Sequence, residues 1–347
     1  SYYPLLLALK ERNIHLNLDV EKACVTLSSV RLQLLSQNFC RSMDLKDVCQ
    51  LTADQQLSLG ADGWTLSDSG CGRLMQEDIV YHEEDYRKQL VEAKADLIEI
   101  LSDILNDPHF EKFKLDLTGG LDSRLIYSTL TNLPFDRERV KINTFPVEGN
   151  RDMELSTRIN SLYHYSYHDF PQTIETLSFR EGDIRCRNTC LGTYYSHNLL
   201  SWRSLEPEQC SIVGACGEIV ARPYMGRKYL NTHVAKQTDC MGLVQDLYDD
   251  YATNFVIGTD VLRSAFVEQV GRELSLLPGA HPLEMLENQY YTFRHGYHFD
   301  VIEHVAHQTQ LKPLQSVKMM RLLKMSYLAH QSIRLQLDML YQLNPAV

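Results

Sequence analysis

A cluster of glycines, hydroxyls and one carboxylate occupies residues 118–123. The surrounding stretch, residues 115–130, reads LDLTGGLDSRLIYSTL, so the cluster separates an apolar run from a helical pattern. Glycines allow a backbone to approach a ligand closely, and the N–H groups at a helix start attract anions. The carboxylate of Asp122 would repel a bare phosphate, so we expect a divalent cation such as Mg²⁺ to bridge the two.

Two other kinds of loop are rich in glycine at the start of a helix. The segment contains no lysine, which excludes a Walker A loop. An ordinary Gly-Gly turn, with Asp122 or Ser123 capping the following helix, would use the same residues without any ligand.

Apolar periodicity predicts the elements that hold this loop. We expect strands at residues 113–117, 140–145, 165–170 and 210–213, and helices at residues 82–105, 123–130 and 152–162. Because strands alternate with helices, the sequence predicts an α/β fold with a parallel sheet and flanking helices. Asp62-Gly63 between alternating apolar positions predicts a hairpin over residues 57–66. From about residue 234 onward the pattern is mainly helical.

Composition limits the class of protein. The chain has 347 residues, 44% of them hydrophobic, which suffices for a large core. No apolar run approaches the roughly 20 residues that cross a bilayer, so we predict a cytoplasmic protein without membrane contact. The net charge is −11, and no basic run is visible along the sequence. Because nucleic-acid binders usually have a basic face, no nucleic-acid partner is expected. Nine cysteines without a Cys-x-x-Cys pair indicate reduced, mostly buried thiols.

The stretch LTGGLDSR resembles the SGGxDS pyrophosphate loop of the N-type ATP pyrophosphatases, the PP-loop superfamily. With Leu121 and Arg124 included, it most resembles the asparagine synthetase C-terminal (synthetase) domain family. The sequence GACGEIV at residues 214–220 resembles a second loop of that family, GxGxDE, in which an acidic residue contacts Mg²⁺. Two loops in this order are much more specific than either one alone.

The resemblance implies a set of site residues, none of them assigned to catalysis. The nucleotide would be bound by Thr118, Gly119, Gly120, Leu121, Asp122, Ser123, Thr144, Phe145, Gly214 and Gly217. The phosphates of ATP would lie on the first loop, and adenine would lie near Thr144 and Phe145, mainly against backbone groups. Asp122 and Glu218 would both contact Mg²⁺.

The resemblance also implies an architecture. Residues 1–80 resemble the segment that follows a glutaminase-like domain in longer members, and residues 81–347 resemble the synthetase domain. That domain would have the adenine nucleotide alpha hydrolase-like PP-loop fold, followed by a C-terminal helical bundle. A glutaminase-like domain or partner subunit, or another source of ammonia, would then supply the amine.

The implied activity is asparagine synthetase-like, AMP-forming carbon–nitrogen ligation. A small-molecule or peptide carboxylate would attack the α-phosphorus of ATP and release pyrophosphate. An amine or ammonia would then attack the acyl-adenylate to give an amide. The chemistry of the loop residues themselves reaches only ATP and Mg²⁺ binding, whereas adenylation and amide formation come from the resemblance.

Departures from the family pattern leave two alternatives open. Ala215 stands where members often have Glu or Tyr, Cys216 stands where Gly is usual, and no lysine matches one that many members carry after the last helix. A nucleotide-binding pseudoenzyme or assembly partner with the same fold fits these departures. A sulfur-transfer enzyme with the same loop would need a reactive, usually paired cysteine, and the acidic charge disfavours its tRNA substrates.

Overall fold

The structure is a computed structural model. It describes residues 2–27, 40–43, 45–144, 149, 151–168, 175–176, 178, 180, 201–202, 209–214, 236–251, 260–294, 309–330 and 334–347. The chain divides into two compact units: unit 1 contains Ser1–Glu77, Thr176–Ser201 and Tyr224–Val301, and unit 2 contains Asp78–Glu175, Trp202–Pro223 and Ile302–Val347. Each unit is therefore assembled from three separate segments of the chain. The predicted division at residue 80 stays a prediction.

The described elements are numbered in chain order. The strands are β1 (Gln55–Gly60), β2 (Gly63–Asp68), β3 (Lys112–Asp116), β4 (Val140–Asn143), β5 (Glu175–Thr176), β6 (Ser201–Trp202), β7 (Gln209–Ile212) and β8 (Thr309–Leu311). The α-helices are α1 (Tyr2–Glu11), α2 (Val20–Leu27), α3 (Gly70–Gln76), α4 (Glu83–Asn106), α5 (Leu121–Leu130), α6 (Asp152–Asn160), α7 (Cys240–Tyr251), α8 (Asp260–Ser275), α9 (Pro282–Gln289), α10 (Val317–His330) and α11 (Arg334–Leu343). A 3₁₀ turn covers Arg137–Arg139, and a π-helical turn covers Tyr290–Arg294.

Unit 2 is built on a parallel four-stranded sheet with the order β4-β3-β7-β8. Its central strand β3 is short and largely buried, with Phe113 and Leu115 almost wholly shielded from solvent. Ile142 of β4 and Ile212 of β7 lie in register with Leu115 on either side and are equally buried. Lys114 of β3 and Ser211 of β7, which alternate with these apolar residues, are buried as well, as expected for a parallel sheet covered on both faces. The predicted α/β fold with a parallel sheet and helices is therefore confirmed.

The strand order reverses beside β3. From β3 the chain passes to β4 on one side, whereas β7 pairs with the other side of β3 and β8 lies beyond it. In open parallel sheets, ligands bind beyond the carboxyl ends of the strands at such a switch point. The segments that follow β3 and β7 therefore flank the place where a ligand is expected.

Helices α4, α5, α10 and α11 pack against one another in unit 2. The buried stripe of α4 consists of Tyr86, Leu90, Ala93, Leu97, Leu101 and Leu105. Their spacing of three and four residues is the reason that this 24-residue segment forms one amphipathic helix. Three acidic residues lie in its first turn, where the positive end of the helix dipole stabilises negative charge.

One predicted strand is present only in part, and the observed strand β8 was not predicted. The strand expected at residues 165–170 is seen, within the described residues, as one parallel bridge between Tyr167 and Ile142. The C-terminal region is mainly helical where it is described, as predicted, and it also contains a short parallel strand, β8. Three residues are too few to show an alternating pattern, and β8 is held by pairing with β7 rather than by its own propensity.

Unit 1 contains the predicted hairpin. β1 and β2 pair antiparallel, with Leu57 opposite Leu66 and Leu59 opposite Trp64. Gly63 adopts a φ of 110°, which permits the tight turn after Asp62. Helices α7, α8 and α9 pack together in the same unit, and α2 packs on α8.

The described residues include five free cysteines and a set of helices whose length and apolar character can be compared with a membrane span. Five cysteines are free there; Cys40 and Cys210 are buried, Cys240 is half-buried, and Cys24 and Cys49 are exposed. Burial is thus less general among these five than the sequence suggested. In the described part of the chain, no helix combines the length and apolar character needed to cross a membrane.

Candidate functional site

The predicted phosphate loop joins β3 to α5 at the carboxyl edge of the sheet. β3 ends at Asp116, and Leu117 continues in register by donating its N–H to the carbonyl of Asn143 at 3.1 Å. α5 begins at Leu121 with Gly120 as its N-cap residue, so no side chain caps the helix from that position. The strand–loop–helix arrangement expected for an anion cradle is present.

Two hydroxyl groups fold the loop onto itself. The N–H of Thr118 donates to Ser123 Oγ at 3.0 Å, and the hydroxyls of these two residues lie 3.0 Å apart. Gly120 donates its N–H to Thr118 Oγ1 at 3.1 Å. Ser123 is buried, and its hydroxyl also lies 3.2 Å from the carbonyl of Gly120. These bonds fix the curvature of the loop without using the side chain of Asp122.

Gly119 contacts helix α6, which follows the neighbouring strand β4. Its N–H donates to Asp152 Oδ1 at 2.9 Å. A Cβ added at Gly119 would lie 2.5 Å from Leu155 Cδ1, so a side chain there would have to displace the leucine. Asp152 therefore places a second carboxylate beside the loop, close to the glycine backbone.

Gly214 brings the start of the second predicted loop against the first. It lies two residues beyond the end of β7, and a Cβ built on it would lie 2.7 Å from the backbone nitrogen of Ser123. The same Cβ would lie 2.9 Å from the carbonyl carbon of Asp122. Both atoms are backbone and cannot move aside cheaply, so only glycine fits this approach. The close contact unites residues that are far apart in the sequence.

Asp122 is the second residue of α5 and is half-buried. An acidic side chain in the first turn is favoured by the helix dipole. Its Oδ1 accepts a hydrogen bond from the side-chain amide of Gln336 on α11. The carboxylate thus has a fixed place at the helix start, supported from a separate helix.

Thr144 supports the base of the loop through its side chain. It is buried, and its hydroxyl donates to the carbonyl of Leu117 at 2.7 Å. The same hydroxyl lies 2.8 Å from Ser156 Oγ on α6. This side chain is therefore engaged in holding the loop, which leaves only its backbone for the contact with adenine that the resemblance implies.

Arg124 and Leu121 complete the first turn of α5. Arg124 donates from Nε to the carbonyl of Gly120 at 3.3 Å, and burial lowers the pKa of its guanidinium. Leu121 is half-buried at the start of the helix. The side chain of Arg124 therefore turns toward the loop, where its hydrogen bond to the carbonyl of Gly120 fixes its position.

The structure brings together most of the predicted site residues. Thr118, Gly119, Gly120, Leu121, Asp122, Ser123, Thr144 and Gly214 all lie at the carboxyl edge of β3, β4 and β7. Phe145, Gly217 and Glu218 lie outside the described residues. Within the described part of the chain, no group of three or more His, Cys, Asp or Glu residues could hold a metal ion. The pairing of Asp122 with Glu218 therefore stays a prediction.

Sequence reasoning missed two residues that contact the loop. Asp152 carried a usable signal, because an acid soon after β4 must lie at the same edge of a parallel sheet as the loop after β3. Gln336 carried no such signal, since it lies on the last helix and reaches Asp122 only through the packing of α11 on α5.

The arrangement suits a phosphate accompanied by a divalent cation. The start of α5 has no side-chain cap and suits an anion, whereas the N–H groups of Gly119 and Gly120 already donate to Asp152 and Thr118. Asp122 and Asp152 add negative charge beside that helix start. Oxygen ligands of this kind are the ones that Mg²⁺ prefers, and it commonly binds one or two carboxylates together with substrate phosphates. The residues present therefore fit a nucleotide with Mg²⁺.

A scan of protein-family models and a search of curated proteins each found no match for this chain. The family resemblance therefore depends on the two loop motifs and their order.

Proposed function

We propose that this chain is an asparagine synthetase-like, ATP-dependent amide ligase with a PP-loop. The observation that carries the proposal is the contact of Gly214 with the backbone of Asp122 and Ser123. It joins the two loops on which the family resemblance depends, at the switch point beside β3. An isolated Gly-Gly turn would not require a second glycine from another strand.

The triphosphate would lie against the open start of α5. Gly119 and Gly214 let helix α6 and the end of β7 pack closely around the loop, while Thr118 and Ser123 hold the loop in shape. Asp122 would hold Mg²⁺, with Glu218 as the second anchor that the resemblance implies. When bound, the metal ion supplies charge neutralisation for the leaving pyrophosphate.

The proposed reaction proceeds in two substitutions. A carboxylate oxygen of the substrate forms a bond to the α-phosphorus of ATP, and the bond from that phosphorus to the bridging oxygen breaks to release pyrophosphate. The nitrogen of an amine or ammonia then forms a bond to the acyl carbon, and AMP leaves with the electrons of the acyl C–O bond while the nitrogen loses a proton. Helix-start N–H groups stabilise the charge that develops on the leaving group.

The finer features of the fold belong to the same proposal. Residues 81–347 would form the synthetase domain, with α10 and α11 belonging to its C-terminal helical bundle, and residues 1–80 would be the linker segment. The substrate would be a small-molecule or peptide carboxylate, with the amine delivered by a glutaminase-like domain or partner subunit. The setting would be cytoplasmic, without nucleic acid or membrane as partner.

A second candidate is a nucleotide-binding pseudoenzyme or assembly partner with the same site. Ala215 favours it, because the resemblance implies a Glu or Tyr at that position in members that carry out acyl transfer. The two candidates share ATP binding and differ only in turnover.

Pyrophosphate release tests the ligase. The chain would be incubated with ATP, Mg²⁺ and a panel of amino-acid and peptide carboxylates, with hydroxylamine as a general acyl acceptor in place of the amine. We expect equal amounts of pyrophosphate and AMP, formed only with certain carboxylates, and a loss of at least about 100-fold in Asp122→Asn. Glu111→Gln serves as the matched control, since it removes one exposed carboxylate immediately before the other end of β3.

The pattern of results separates the candidates. Carboxylate-dependent pyrophosphate release that Asp122→Asn abolishes and Glu111→Gln retains supports the ligase. ATP binding without pyrophosphate release across the panel supports the pseudoenzyme. Absence of ATP binding contradicts both.

A further inference from the structure

Gln336 is the one polar side chain among the buried residues of α11. It is only 4% exposed, and its neighbours on the buried face of α11 are Leu335, Met339, Leu340 and Leu343. Burying an amide is costly unless it is hydrogen-bonded, so a leucine at this position would pack α11 on α5 at lower cost. The choice of glutamine therefore needs a reason beyond packing.

The amide of Gln336 donates from Nε2 to Oδ1 of Asp122. We propose that Gln336 is a positioning residue that orients the carboxylate of Asp122 for a divalent cation. The proposal rests on the proposed function, because it assigns Asp122 to Mg²⁺ binding. Metal-ligating carboxylates are commonly oriented by a hydrogen bond from a second side chain, and the loss of such a partner typically weakens metal binding about 10–100-fold.

The chemistry of the donor favours positioning over neutralisation. A lysine or arginine in this place would form an ion pair with Asp122 and compete with the cation for its charge. An amide is neutral, so it fixes one oxygen while the carboxylate keeps its full negative charge. A carboxylate has about four acceptor positions, and the amide of Gln336 uses one of them.

The start of α11 is held in place from outside the site. Arg334 donates to both carboxylate oxygens of Glu83, at 2.9 and 3.2 Å, and to Asp338 at 3.1 Å. Its guanidinium lies 5.2 Å from the centre of the Tyr86 ring. These contacts tie α11 to the first turns of α4, two residues before Gln336. The glutamine is thus fixed on a braced helix, as precise orientation of a ligand requires.

The far end of α11 supplies a matched control. Asn344 donates to Thr131 Oγ1 at 2.8 Å and also to the hydroxyl of Tyr163, beyond the C-terminal end of α5. Gln336 and Asn344 therefore both join the C-terminal segment of unit 2 to its first segment through a side-chain amide. Only Gln336 contacts the loop.

The test measures equilibrium binding of ATP to the full chain over a range of Mg²⁺ concentrations, with the free energy of unfolding measured in parallel. Gln336→Met removes the donor at nearly constant volume, and we expect it to raise the Mg²⁺ concentration for half-maximal ATP binding about 10–100-fold. Asn344→Ala should leave that concentration within about twofold, even where it lowers stability. If Gln336→Met does not fold, Gln336→Asn keeps the amide but withdraws it by one methylene and should give the same shift.

The two sets of variants distinguish positioning of Asp122 by Gln336 from helix packing alone. An unchanged Mg²⁺ requirement in the Gln336 variants, or equal shifts in Gln336→Met and Asn344→Ala, would assign Gln336 to helix packing alone and overturn the inference while leaving the proposed function intact. If the wild-type chain shows no Mg²⁺-dependent ATP binding, the proposed function fails and the inference fails with it.

Discussion

At the scale of single residues, the site depends on backbone approaches that side chains would block. Gly119 lies against Leu155, and Gly214 lies against the start of α5. A side chain added at Gly119 would meet Leu155 Cδ1, which is the end of a flexible side chain. A side chain added at Gly214 would meet Ser123 N, which is a backbone atom. Gly214 is therefore the less replaceable of the two.

Gly214→Ala should destabilise the chain and weaken ATP binding. Its methyl group would lie 2.7 Å from Ser123 N, so β7 or α5 has to shift, and overpacking of this kind costs roughly 1–3 kcal/mol. Denaturant unfolding and ATP titration measure the two effects. Gly60→Ala is the control, because its added Cβ would meet nothing closer than 3.9 Å, and we expect a change within about 0.5 kcal/mol. Equal stability of Gly214→Ala and the wild type would contradict the close approach.

The sequence indicated the loop because its signal is local. Thr118, Gly119, Gly120 and Ser123 are consecutive or nearly so, and turn chemistry follows from residue types at fixed spacing. Gln336 reaches the loop only through the packing of α11 on α5, and nothing in its immediate neighbours marks it. Asp152 follows β4 closely enough to be placed at the same edge of the sheet as the loop. The composition of the loop could thus be predicted, whereas its contact with Gln336 could not.

At the scale of elements, strength of periodicity decided what the sequence could predict. The long stripe of α4 and the buried strands β3 and β4 repeat their pattern enough times to be recognised. β8 has three residues, and the single bridge at Tyr167 has one. β8 owes its conformation to the strand beside it and carries no local signal, whereas the apolar pattern of residues 165–170 did indicate a strand around Tyr167.

The junction between α4 and α11 should make stability depend on pH. Glu83 accepts hydrogen bonds from Tyr81 and then from Arg334 and Arg87, which together lower its pKa to about 2 from an ordinary value of 4.5. A lowered pKa in the folded state means that the stabilisation is present above about pH 4.5 and is lost as the pH falls toward 2. We expect the wild type to be more stable than Glu83→Gln at pH 6, and the difference to shrink progressively at pH 4 and pH 3.

Chemical denaturation at these pH values measures the effect. Glu84→Gln provides the comparison, since Glu84 is exposed in the same first turn of α4 and retains the dipole interaction shared by its acidic neighbours. A stability difference between wild type and Glu83→Gln that stays constant from pH 6 to pH 3 would show that the Glu83 network does not stabilise the junction.

At the scale of the whole molecule, the candidate site belongs to unit 2, whose segments are separated along the chain. The loop, Asp152, Gly214 and Gln336 come from all three of its segments, Asp78–Glu175, Trp202–Pro223 and Ile302–Val347. The site can therefore form only when the C-terminal helices have packed on the sheet segment. Binding of ATP to the folded state should accordingly stabilise unit 2 as a whole.

Equilibrium titration of ATP with Mg²⁺ and with EDTA, on the wild type and on Asp122→Asn, shows whether the loop binds ATP through a bridging divalent cation. The wild type should bind ATP with Mg²⁺ and bind it at least about tenfold more weakly in EDTA, because Asp122 repels phosphate unless a cation bridges them. Asp122→Asn should lose most of that dependence on Mg²⁺, since the amide removes both the repulsion and the metal ligand. Glu111→Gln should behave as the wild type. Binding of ATP by Asp122→Asn with an undiminished Mg²⁺ dependence, or no binding by the wild type with Mg²⁺, would contradict the account.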